Sequence, residues 1–251
     1  MSPRLTALLL ITAAVLANVA FAALGSIFDY PDVLDEPAGD VLASFRAHES
    51  AVSVWFSVLA FSAALLAPIA IGVRRLSSHR VMRIAVTVGI AAAVVQVVGL
   101  LRWPILVPGY AADGDTAAYR TAGNILGTAI GETLGYALTA AWIALVIAAL
   151  GRSFAGRWFV VLGGAAAGLV AVGVISPLDL PVVDEANFVG YVLYSIWLIA
   201  FGIVLLVHER SAARGVSART ERGSLDSSGR DGDLRAPVDV DPRADQLGAR
   251  R

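Results

Sequence analysis

"GNILGTAIGETLGYALTAAWIALVIAAL", residues 123–150, decides how the chain is read. Its first half places glycine at every fourth position (Gly123, Gly127, Gly131, Gly135) around a single carboxylate, Glu132. Its second half, Ala137 to Leu150, carries no charge. Each glycine inside a soluble helix costs about 1 kcal/mol relative to alanine. In lipid the balance differs, because helices gain little from mutual apolar burial and associate through close backbone approach. Glycines four apart stack along one helix face, so the stretch reads as a packing ridge leading into a membrane span. Gly164-x-x-x-Gly168 repeats the device further on.

The rest of the chain supports this. Of 251 residues 57% are hydrophobic and 16% charged, against about 25% charged in ordinary soluble domains. The mean hydropathy is +0.74. A helical span needs about 20 apolar residues, and six segments supply them: 5–24, 52–73, 84–101, 130–150, 158–176 and 188–207. The expected fold is therefore an all-α integral membrane protein of six transmembrane helices arranged as three hairpins.

Charge sets the orientation. All 19 basic residues are arginine. Arg4, the Arg74–Arg83 group, Arg152 with Arg157, and Arg210 with Arg214 fall on one side of the spans. The opposite loops hold only Arg46, Arg102 and Arg120, and most of the loop acids, including Asp29, Asp32, Asp35, Glu36 and Asp40. Positive charge stays cytoplasmic, so both termini are expected inside a plasma membrane and the acidic loops outside. "MSPR", an apolar core and "AFA" at 20–22 also fit a secretory leader. The length of the apolar run, and the second span's need for a partner, favour its retention as a span.

The domain division expected is a six-helix transmembrane domain, 1–210, and a disordered cytoplasmic tail, 211–251. The tail mixes Arg, Asp, Ser and Gly with few large apolar residues, and such composition cannot bury enough surface to fold. It has no basic block of the kind that holds nucleic acid, so no nucleic-acid partner is expected. The bilayer itself is the expected partner.

Ionisable groups gather at one depth. Glu132 lies about 27 Å from Leu150 along a helix, near the outer boundary, where Arg102 ends the third span and Asp179 ends the fifth. A charge inside the bilayer costs about 2.5–3.5 kcal/mol even on insertion scales. Arg102 is therefore expected to bridge Glu132 or Asp179, with Tyr136 one turn below as a further hydrogen-bond partner. Such a cluster serves either as a clamp on the outer helix ends or as a site for a small ligand or anionic lipid. Deeper positions offer only Asn18, Gln96, Thr87 and Thr139, too little for a proton relay. Asn18 and Gln96 are expected to bond between helices.

Enzymatic signatures are thin. Cysteine is absent, which excludes disulfides and thiolate chemistry. "HES" at 48–50 begins like a zinc-protease helix, but Val52 stands where a second histidine would be needed. No cofactor, metal or catalytic residue is expected. The five tryptophans read as interface or packing aromatics.

Two segments repeat. "GYALTAAW" (135–142) and "GYVLYSIW" (190–197) both fit Gly-Tyr-x-Leu-x-x-x-Trp, a parallel relation unlike the inverted repeats common in transporters. Together with "FDYPDVL" (28–34), "RWPILVP" (102–108), "GETLGYALTAAW" (131–142) and "NFVGYVLYSIW" (187–197), they make residues 1–207 resemble the bacterial multi-pass membrane family called domain of unknown function 4386. The resemblance implies a six-helix membrane protein without an assigned activity. The residues themselves favour a non-enzymatic role, sensing or scaffolding, with a small-solute transporter or channel as the alternative.

Overall fold

The computed structural model describes residues 1–178, 180 and 182–233. Among them the chain is helical and contains no strand. It divides into two units, Met1–Val207 and His208–Arg251. Six helical segments are long and apolar enough to cross a membrane: Pro3–Phe28, Glu49–Leu76, Arg80–Asp113, Thr116–Ala155, Arg157–Leu178 and Val183–Ser211. We number these spans one to six. The last helix runs on to Asp233. Of the tail expected from residue 211, residues 234–251 lie outside the described residues.

Local chemistry sets the ends. Ser2 caps the first span by accepting from the Leu5 amide at 3.2 Å, with Pro3 at the first helical position. Proline suits that position because its missing N–H would be unpaired there anyway. The third span carries Pro104 and breaks at Leu106 before a short helix, Val107–Asp113, as expected where proline removes a helical donor.

The spans close into a ring, and each neighbouring pair is joined by small-residue or hydrogen-bonded contact. Ser62 of span two donates to the Ala13 carbonyl of span one at 2.9 Å. A Cβ on Gly89 of span three would fall 2.7 Å from Ala70 of span two. Gly99 and Gly131 press spans three and four together, since a Cβ on Gly99 would lie 2.6 Å from the Gly131 Cα. Ile147 of span four meets Gly163 of span five, and Gly190 of span six meets the Val170 backbone. Gly202 of span six returns to the Ala7 carbonyl of span one.

Inside the ring, Trp142, Trp197, Phe159 and Phe201 are fully buried and form the main core. A second aromatic core sits where the acidic loops gather: Phe28, Phe45 and Phe56 surround Trp103. Phe45 belongs to the connecting helix Ala38–Ala47. This second core roofs the end of the bundle at which Arg102 lies.

The glycines divide by helix phase. Gly127 and Gly131 each face a neighbour across a distance too short for a Cβ, and Gly135 faces Gln96 closely, at 3.1 Å from an added Cβ. Gly123, Gly164 and Gly168, expected to do the same, face open space, with nothing within 4 Å of an added Cβ. Span five instead makes its close contact through Gly163, one residue away. One residue is about 100° of helix rotation, enough to exchange an inward face for an outward one.

Candidate functional site

The site starts from an irregular helix. Residues Gly123–Leu134 are wound as a π-helix, between α-helical Thr116–Ala122 and Gly135–Ala155. The π form bonds i to i+5 and occurs mostly as single turns, frequently at functional sites. Here it covers twelve residues. Here the i to i+5 pattern sets the Leu126 carbonyl against Gly131. Leu126 and Gly131 both meet Gly99, the former through its carbonyl. Gly127 faces Arg102, and Glu132 lies within reach of the arginine's charge.

Arg102 lies across Gly127. A Cβ at Gly127 would fall 2.6 Å from the guanidinium carbon, so the missing side chain is what admits the cation. Its Nη1 donates to the Gly99 carbonyl at 2.7 Å, and its guanidinium carbon stands 5.4 Å from the centre of the Trp103 ring, within cation–π range. The side chain is 9% exposed. Among the described residues no carboxylate oxygen approaches it within 4.0 Å.

That corrects the bridge expected from Arg102 to Glu132. The two are close enough for Glu132 to feel the arginine's charge, and Asp184 acts on it too, but they make no direct ion pair. The reason is local: Gly99 lies one helical turn back on the same face as Arg102, and Gly127 opens the space that the guanidinium fills. Asp179, the other expected partner, lies outside the described residues.

Tyrosines complete the neighbourhood. Tyr136 lies within electrostatic reach of Glu132, Tyr191, Tyr30 and Asp184. Burial first, and the Glu132 carboxylate second, push the phenol of Tyr30, in the loop after span one, up to about 12. It therefore stays a neutral donor at physiological pH. Asp184 accepts from the Ser176 hydroxyl at 2.6 Å. Gly173 makes room for both Asn187 and Tyr136, and Asn187 donates to the Val170 carbonyl at 3.0 Å.

Polar contact continues inward. Gln96 donates to the Thr139 hydroxyl at 2.6 Å, linking spans three and four, and Tyr191 of span six lies close to Thr139. Gln96 thus bonds between helices as its sequence position suggests. Asn18 does not: it donates to the Ala14 carbonyl of its own helix at 2.7 Å. Sequence reasoning missed Tyr30, Tyr191 and Asn187 as members of this cluster. The signal was present for Tyr191, which occupies the same place in its repeat as Tyr136 does. Among the described residues no group of three or more His, Cys, Asp or Glu could hold a metal ion.

The architecture defines a class: an all-helical, multi-pass membrane protein with a polar cluster at the acidic end of its bundle. A family profile described as Domain of unknown function (DUF4386) matches residues 5–202, and the chain belongs to that family. No curated protein and no solved structure matches the chain.

Proposed function

We propose that this protein is a non-enzymatic sensor or scaffold of the plasma membrane that receives a small ligand at its extracytoplasmic face through the Arg102–Glu132 cluster. In this reading the spans form three hairpins opening at the acidic end, both termini are cytoplasmic and residues 211–251 are a solvated tail. The arginine distribution supports that orientation. One observation carries the ligand site: a buried guanidinium and a carboxylate sit within electrostatic reach of each other without closing into a pair. Unpaired charges beside a bilayer are costly and mark functional positions. The π-helical stretch that carries Glu132 points the same way.

A second reading, a small-solute transporter or channel, is favoured by the polar groups that continue inward, the Gln96–Thr139 hydrogen bond with Tyr191 near it. One experiment separates the two. The protein is placed in lipid nanodiscs and small charged solutes are ranked by the shift they produce in thermal unfolding. Each stabilising solute is then tested for uptake into proteoliposomes. The sensor reading expects stabilisation without flux. Flux that disappears in Gln96→Leu, Thr139→Val or both would establish the transporter instead.

A further inference from the structure

Resting on the ligand-receiving reading above, we propose that Arg102 anchors an oxyanion, a carboxylate or phosphate group, and that Glu132, near Arg102 but not paired with it, opposes this anion. A guanidinium carries five N–H donors in a planar fork suited to two-oxygen recognition of carboxylate and phosphate. Arg102 uses one of them, on the Gly99 carbonyl. The fully buried side-chain donors left without a partner among the described residues are the indole nitrogens of Trp103 and Trp142. The remaining Arg102 nitrogens are not among them, so they keep a small accessible surface while the side chain as a whole is 9% exposed.

The surroundings hold the fork in place. The Trp103 ring beside the guanidinium is itself stacked on Phe56 at 4.7 Å and 6°. On the other side lies Gly127, where any side chain would push the cation away. Trp103 and Gly127 therefore fix where the guanidinium lies. Glu132 feels the charge of Arg102, and Asp184 in turn acts on Glu132. An anion arriving at Arg102 gains the free donors and is opposed by Glu132. This opposition distinguishes a ligand site from a structural clamp, because removing Glu132 weakens a clamp but strengthens anion binding.

The test uses the full chain in nanodiscs. In discs of phosphatidylcholine alone, inorganic phosphate and acetate are titrated against chloride at equal ionic strength, and thermal unfolding is followed. A parallel set contains phosphatidylglycerol without added phosphate, so a lipid headgroup and a free anion are read separately. Stabilisation over chloride in either arm, lost in Arg102→Gln, supports the proposal, and Glu132→Gln is expected to tighten the response about tenfold, or about 1.4 kcal/mol. If Arg102→Gln fails to fold, Gly127→Ala, which displaces the guanidinium, and Arg102→Lys, which keeps charge but not the fork, replace it, and both are expected to weaken the response. No response in either arm, a response unchanged by every Arg102 and Gly127 variant, or weakening by Glu132→Gln overturns the oxyanion assignment. A cationic or neutral solute that stabilises the protein through Glu132 would sink this assignment while leaving the ligand-receiving reading intact.

Discussion

Tyr136 of span four and Tyr191 of span six meet edge to face, ring centres 5.6 Å apart. Six residues further along each helix, Trp142 and Trp197 meet in the same way at 6.0 Å and 85°. The two copies of Gly-Tyr-x-Leu-x-x-x-Trp thus face each other, residue against equivalent residue. Their surroundings correspond as well. Trp142 sits on Gly89 of span three, and Trp197 on Gly163 of span five. Gly135 closes on Gln96 of span three, and Gly190 on the Val170 backbone of span five. Spans three and four are therefore related to spans five and six by a local twofold relation through the paired rings.

The relation is imperfect in one informative way. Trp197 Nε1 donates to the Phe159 carbonyl at 3.1 Å, whereas Trp142 Nε1 is buried without a partner among the described residues. Replacing either tryptophan by phenylalanine removes similar ring area, but only Trp197→Phe breaks a hydrogen bond. Trp197→Phe is expected to destabilise by about 0.5–1.5 kcal/mol more than Trp142→Phe. Thermal unfolding of both variants in the same detergent checks this, and equal losses would count against the hydrogen bond.

The glycine contact between spans three and four is expected to be sensitive to volume. Gly131→Leu forces a side chain into the Gly99 backbone, and overpacking costs about 1–3 kcal/mol. Gly164→Leu and Gly168→Leu enter open space and are expected to leave stability unchanged. Melting curves of the three variants suffice. A stable Gly131→Leu would show that the two backbones do not touch.

Sidedness is open to direct chemical labelling, since the native chain has no cysteine. Cysteines at exposed Ser78 and Ser153 are expected to be protected from membrane-impermeant thiol reagents in intact cells. Cysteines at exposed Gly39 and Ala112 are expected to react. Ala38 would be a poor reporter because it is buried at 5% exposure. Labelling at Ser78 from outside reverses the orientation.

The residues beyond Arg214 are expected to be dispensable for the transmembrane unit. Truncation there keeps Arg210 and Arg214 as the basic anchor and removes sequence too polar to build a core. The shortened chain should be produced in similar yield and elute as one species in detergent. Loss of yield with aggregation would mean that the removed segment supports the first unit.

Much of the molecule was legible in one dimension. Six apolar runs, the segregation of arginine from the acidic loops, and the paired Gly-Tyr-x-Leu-x-x-x-Trp motifs depend on composition and spacing alone. Hydrophobic length is a local property, and so is charge. Counting residues along the helices placed Arg102, Glu132 and Asp179 as candidates for one depth, with Tyr136 a turn below. Tertiary structure decided what depends on helix phase. It chose Gly163 over Gly164 as the contact of span five, sent Asn18 back to its own helix, and turned Arg102 onto Gly99 and Gly127. It wound residues 123–134 as a π-helix, which changes the phase of every side chain along that stretch. Length and composition specify that a helix forms and how far it reaches, but a single residue of phase rotates every side chain by about 100°. That rotation is set by the neighbours a helix packs against.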